Sequence, residues 1–466
     1  MEKSLQTKLL LYLALSAVGF AYLAMPQNAG IGVTVFGLLQ LGCLLCIAPD
    51  KKTLWWFAPA MVLFCNPFLS ANRMWVAPNC IIILLIYSLV SLQIRREFRL
   101  GDNRFLGDLL ENLFNPISYL PEPLRMVNTK DANRARIIKR ALLGIVITVP
   151  CLIFLVLLLS SADSIFSHGV SDFLNSIFEM GNGNVLWKSL LGVVVGFYLF
   201  GFAYHLYQPV RERKNPVLPR RGGDLIVLNI LLCSVLAVYT LFVIIQFRYL
   251  FAGAQLPYGL SYTDYARKGF FELLFLTAVN IGLILLTVAL TKEKNGRWKS
   301  VTKALCSYLC AVTVILLASS FYRMWLYCSD DGLTRLRLLV FGFLIFESIG
   351  LLITFFYIAK PKFNIIAVYL VIALVYYLLL NFVPIDAVVA KSQVDRYYDH
   401  RGYGIAYVMT LSADAAPQIA RLLDAPTYPA REQAEAWFAR QKSYYADFVP
   451  RWQRFNLSVE AMKQID

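Results

Sequence analysis

Basic residues alternate loop by loop along a chain dominated by long apolar runs, and this alternation constrains the fold more than any other feature. The connectors around Lys51/Lys52, Arg95 to Arg140, Arg211 to Arg221, Lys292 to Lys303 and Lys360/Lys362 are basic. Those between them, such as Ser161 to Asn184, Ala252 to Asp264 and Cys328 to Gly332, carry neither Lys nor Arg. Lysine and arginine in short loops resist translocation, so the basic connectors are expected inside and the clean ones across the bilayer.

Each crossing needs about 20 predominantly apolar residues. About eleven stretches meet the hydropathy criterion, at approximately 8–25, 30–48, 54–71, 74–94, 138–160, 185–207, 224–248, 268–290, 302–327, 334–359 and 363–383. The third is the weakest, because Pro59 and the pair Asn66-Pro67 interrupt it, and a kinked or re-entrant segment is an alternative there. An odd number of spans puts Met1 in the cytoplasm and Asp466 outside. A 466-residue chain that is 58% hydrophobic, with a mean hydropathy of +0.59, is too apolar for an ordinary soluble protein. The net charge of +15 is accounted for by the cytoplasmic connectors, so no nucleic-acid partner is expected; anionic lipid headgroups are. Lys3 and Lys8 before the apolar run Leu9 to Met25 imitate a signal peptide, read here as an uncleaved first span.

The expected fold is all-α: a polytopic transmembrane helix bundle followed by a small extracytoplasmic helical domain. Residues 1–94 form a four-span subdomain and 95–137 a cytoplasmic connector. Residues 138–383 form a seven-span core, and 384–466 the tail domain. Within the connector, Phe105, Leu106, Leu109, Leu110, Leu113 and Phe114 lie opposite Asp102, Asp108 and Glu111, an amphipathic helix suited to the inner interface. A second amphipathic stretch, Ser164 to Met180, is expected outside. In the tail the spacing predicts a short helix from Asp414/Pro417 to Leu423, a longer one from Pro429 through Tyr445, and a closing helix after Asn456.

Charges in lipid cost about 2.5–3.5 kcal/mol at a span centre on insertion scales, so each requires a partner or a purpose. Glu347 stands midway along the tenth stretch. It is either a protonated hydrogen-bonding group between helices or a binder of a proton or cation. Arg248, Glu272, Arg323, Arg335, Arg337 and Asp163 gather towards the outer side. There they either anchor helix ends beside an aromatic belt or line a basic cavity for an anionic lipid or envelope precursor, with Arg248–Glu272 a plausible ion pair. Asn229 and Asn280 lie within spans, where asparagine joins helices.

Catalytic signals are thin. The chain has no G-x-S-x-G elbow, P-loop or H-E-x-x-H. His168, His205 and His400 are scattered, and the nine cysteines lie in or beside spans as small hydrophobes rather than in metal-ligand spacing. No cofactor is expected.

Three segments together are familiar: Gln246-Phe247-Arg248-Tyr249-Leu250-Phe251; Tyr265-Ala266-Arg267-Lys268-Gly269-Phe270-Phe271-Glu272-Leu273 with Asn280 beyond; and Leu411-Ser412-Ala413-Asp414-Ala415-Ala416-Pro417 with Trp452 and Asn456-Leu457-Ser458. They resemble bacterial multispanning membrane proteins of domain of unknown function family 4173, related to family 4153. The resemblance covers the second half of the chain. It implies a bacterial inner (plasma) membrane location, marks Arg248, Tyr265, Arg267 and Glu272 as motif positions, and carries no activity. The expected role is envelope-associated transport or handling of a membrane-embedded ligand through Glu347 and the Arg248/Glu272 group, with Arg323, Asn280, Tyr265 and Arg267 beside them. The alternatives are a scaffold or regulator whose tail binds an extracytoplasmic protein, and a membrane transferase.

Overall fold

A computed structural model describes residues 3–25, 30–48, 52–95, 105–126, 183–208, 224–246, 270–291, 297–360, 363–399, 405–446 and 452–465, with isolated positions between 155 and 169. Among the described residues the fold is helical throughout, with no strand, and eight helices are long and apolar enough to cross a membrane. Large apolar side chains on their outer faces, such as Val238, Leu241, Phe275 and Leu352, are more than half exposed. A contiguous apolar exterior is what a lipid-facing bundle requires and what water would not tolerate.

Two of the eleven apolar stretches form helices shorter than that. The second is Ile31–Ile47, and the third breaks into a 3-10 turn, Lys52–Phe57, and a twelve-residue α-helix, Ala58–Leu69. Pro59 sits in the first turn of that helix and Pro67 inside it. A proline lacks the donor that would continue the ladder, so the segment cannot be one straight rod. The stretch 138–160 and the amphipathic segment 164–180 lie almost wholly outside the described residues.

The chain packs as two units, Met1–Glu212 with Ala446–Gln464, and Arg213–Tyr445 with Ile465–Asp466. The tail is therefore divided between them. The first unit holds α1 (Lys3–Gly19, extended by a π-helical turn to Ala24), α2 (Ile31–Ile47), α3 (Ala58–Leu69), α4 (Val76–Ile94), α5 (Phe105–Ser118) and α6 (Gly183–His205). Helices α1 and α6 pack where Gly192 and Gly196 face Ala17 and Ala21: a Cβ on Gly192 would come within 2.5 Å of the Ala17 carbonyl oxygen, and one on Gly196 within 2.7 Å of Ala17 Cβ. Such small-residue pairs let backbones meet closely in lipid, where packing rather than hydrophobicity joins helices. Inside this unit Tyr12 and Tyr87 both donate to Gln40 Oε1 (2.8 and 3.2 Å), and Gln40 Nε2 donates to Ser16 (3.1 Å), so the buried amide is held on both sides. The amphipathic α5 packs on its neighbours through Asn112 to the Ser88 carbonyl (2.9 Å) and Tyr198 to the Leu113 carbonyl (2.7 Å), leaving Leu110 and Phe114 outward.

The end of the chain closes this unit. Helix α2 begins where Ile31 N–H donates to the Phe455 carbonyl (2.9 Å). The last carbonyls of α3 have no partner within their own helix. Asn456 Nδ2 meets those of Pro67 (2.9 Å) and Ser70 (2.8 Å), and Ser458 Oγ meets that of Leu69 (3.0 Å). Asn456 Oδ1 at the same time accepts from Val459 N–H (3.0 Å) and caps the closing helix Leu457–Lys463.

The second unit is a bundle of α7 (Leu225–Gln246), α8 (Phe270–Thr291), α9 (Arg297–Asp331), α10 (Arg335–Ala359) and α11 (Ile365–Phe382). Its apolar core runs through Leu232 and Leu236, Ile281 and Ile284, Leu309 and Leu316, and Leu344 and Leu351, two residues from each of four helices. In the tail, α12 (Ile385–Tyr398) is a helix that the spacing did not mark, whereas α13 (Tyr428–Ala446) and the short turns spanning Ala413–Asp424 follow the predicted spacing. Gln393 Nε2 donates to the Leu333 carbonyl (2.7 Å), so α12 sits against the turn between α9 and α10. The tail thus meets the ends of α2 and α3 in the first unit and the α9–α10 turn in the second.

Candidate functional site: a polar seam through the second unit

Apolar helices that carry a few Thr, Asn and Ser must pair them, since lipid offers no water to satisfy them. In the second unit several of these residues fall on buried faces and meet across helices. Thr302 Oγ1 of α9 donates to Asn229 Oδ1 of α7 (2.7 Å). Tyr239 of α7 donates to Asn280 Oδ1 of α8 (2.9 Å), and Asn280 Nδ2 donates to Thr313 Oγ1 of α9 (3.2 Å). Tyr369 of α11 reaches Thr354 and the Gly350 carbonyl of α10, both at 2.7 Å.

Glu347 belongs to this seam. It lies twelve residues from each end of α10, about 18 Å of helix either way, and is 4% exposed. Its Oε2 lies 2.6 Å from Thr277 Oγ1, one turn before Asn280 on α8. Its Oε1 is buried with no hydrogen-bond partner. Thr277 Oγ1 also lies 2.7 Å from the Leu274 carbonyl. One hydroxyl proton therefore faces two acceptors. If it points at Leu274, the 2.6 Å contact needs a proton on Glu347; if it points at Glu347, the carboxylate can be bare. A rotation of one hydroxyl accommodates either state.

The other sequence-based candidates divide. Asn280 is in the seam, and Arg323 is buried on α9 (6% exposed). Glu272 is exposed in the first turn of α8. Arg248, Tyr265 and Arg267 lie outside the described residues, and the expected Arg248–Glu272 pair with them. No cluster of three or more His, Cys, Asp or Glu suited to a metal forms among the described residues.

An ion pair that sequence reasoning did not anticipate forms at the N-terminal end of α10. Arg335 Nε and Nη2 bind Asp386 Oδ1 and Oδ2 at 2.5 and 2.7 Å, and Ser412 adds its N–H (2.9 Å) and Oγ (2.5 Å) to Oδ2. Asp386 is completely buried. Burial alone would raise its pKa, but Arg335 and Ser412 outweigh it and hold the carboxyl below the ordinary aspartate range. Beside it Arg337 stacks over the Tyr327 ring at 3.7 Å and donates to the Gly332 carbonyl. Asp386 was unreadable because the tail is rich in acids and nothing in its spacing sets this one apart.

The family model described as Domain of unknown function (DUF4153) matches residues 57–422. The chain belongs to this family. The match is to DUF4153 rather than to the related family 4173 named from the motifs, and it begins well before the second half to which those motifs were confined. The DUF4153 region contains the whole seam and the Arg335–Asp386–Ser412 group, and it stops short of α13 and the closing helix. No curated protein and no solved structure matches the chain. The DUF4153 description assigns no activity, so the chemistry must be argued from the side chains.

Proposed function

We propose that this DUF4153 protein transports or otherwise handles a membrane-embedded ligand, with protonation of Glu347 as the coupled event. The observation that carries the reading is the placement of one buried carboxyl at mid-helix against a threonine whose single proton serves two acceptors. A carboxyl kept only as structural glue would be expected to have both oxygens satisfied, whereas Glu347 keeps one uncommitted. A turn further along α8 the seam continues through Asn280 with Thr313 and Tyr239, groups that can re-pair when a helix shifts. In this reading the protein has about eleven spans in a bacterial inner membrane, with the amino end in the cytoplasm and the tail outside.

Infrared difference spectroscopy of the purified protein in lipid tests it. The protonated carboxyl of Glu347 should give a band that disappears with pH, is missing in Glu347→Gln and shifts in Thr277→Val. A Glu347 band that persists unchanged from pH 5 to pH 9 would make the group a static hydrogen-bond donor and end the proposal.

A further inference from the structure

The closing segment of the chain turns one face into the protein and an apolar face away from it. Gln453, Asn456, Val459 and Met462 are buried, while Trp452 (53%), Phe455 (42%) and Leu457 (44%) are exposed. Three large apolar groups open to water on one short segment would be costly unless something covers them.

Their depth is fixed by what their neighbours hold. Asn456 and Ser458 bond the terminal carbonyls of α3 at Pro67, Leu69 and Ser70, and the Phe455 carbonyl takes the first N–H of α2. Residues 452–458 therefore sit one hydrogen bond away from where two apolar helices end. Phe455 also stacks on Phe68 of α3, ring centres 6.1 Å apart. The exposed face thus adjoins the half-buried Phe68 at the end of α3 rather than standing apart from the apolar helices. Tryptophan beside the end of an apolar helix matches the headgroup–acyl boundary, which accepts an apolar ring and a polar edge together, and Phe455 and Leu457 suit its acyl side.

We infer that Trp452, Phe455 and Leu457 form an interfacial anchor, and that their partner is the lipid of the outer-side leaflet, not a soluble protein. The tail's closing helix is then held to the bilayer as well as to the ends of α2 and α3. The inference rests on the helices crossing a membrane and is independent of any role for Glu347.

The photo-crosslinking residue p-benzoylphenylalanine, placed singly at 452, 455, 457 and 463 of the full chain in vesicles of phosphatidylethanolamine and phosphatidylglycerol, tests the anchor. A ring replaces a ring at 452 and 455, and the side chains at all four positions are exposed, so folding is retained. Lys463, ion-paired with Glu460 at 2.8 Å, serves as the polar reference. Phospholipid adducts at 452, 455 and 457 at least several-fold above those at 463 are expected. Adducts to another polypeptide, or lipid adducts no more frequent than at 463, would overturn the inference.

Discussion

Removing either partner of the Arg335–Asp386 pair should loosen the tail, but by unequal amounts. The Arg335 side chain is 30% exposed and that of Asp386 is 0% exposed. In Asp386→Ala the guanidinium can turn to water, so the loss is that of the charge-assisted contacts and of the Ser412 N–H left without its acceptor, about 2–3 kcal/mol. In Arg335→Ala a buried carboxylate loses the guanidinium that binds both of its oxygens, which places the cost at about 3–5 kcal/mol. The paired change Arg335→Met with Asp386→Leu should cost less than the sum of the two alanine variants, because no charge is stranded. The pair also predicts a pH dependence. The folded pKa of Asp386 lies below its unfolded value, so its contribution is complete above the ordinary aspartate range and fades as pH falls through the folded value. Protease cleavage of the tail in reconstituted protein, at fixed protease and varied pH, reads both effects as the fraction of molecules with α12 released. At least a several-fold excess of cleavage in Arg335→Ala over Asp386→Ala is expected, with wild type releasing its tail only under strong acid. Equal cleavage in the two variants, or additive behaviour in the double variant, would refute the reasoning.

Asn456→Ala removes the cap of the closing helix and the donor to two α3 carbonyls. It should cost about 1–2 kcal/mol and raise hydrogen exchange at Val459 while leaving α12 unaffected. Gly196→Val inserts a branched side chain where even a Cβ would lie 2.7 Å from Ala17. The α1–α6 crossing should open at a cost of about 1–3 kcal/mol or more, seen as a lower midpoint in thermal unfolding; Gly42→Val on α2, where a Cβ meets nothing within 4 Å, is the matched control.

Much of the architecture could be read from residue order because lipid imposes a length. Spans such as Arg335–Ala359 are visible as apolar runs with charged ends, and Glu347 is visible because a carboxyl in such a run has few explanations. Its partner was not, since Thr277 is one of several threonines that a helix can bond to its own backbone at no cost to insertion. Asn280 was legible as a polar group inside a span, yet nothing along the chain pairs it with Tyr239 and Thr313. Arg335 was recognised as a charge at a helix end, but the anchor reading pointed it at water and headgroups, whereas its carboxylate lies 51 residues later at Asp386. The weakness of the third stretch was legible from Pro59 and Pro67. The Gly192/Gly196 contact was not, because a small-residue pair acquires meaning only from the helix that approaches it.

The bonds between Asn456 and the end of α3 join groups 389 and 386 residues apart. At a synthesis rate of about 5–20 residues per second, the ribosome needs roughly 20–80 s to deliver the asparagine after the proline carbonyl has emerged. During that interval the third helix waits with its terminal acceptors open. Completion of the first unit therefore lags the synthesis of its third helix by that interval, and a chain terminated before Asn456 would carry an unfinished helix end that quality-control proteases can recognise.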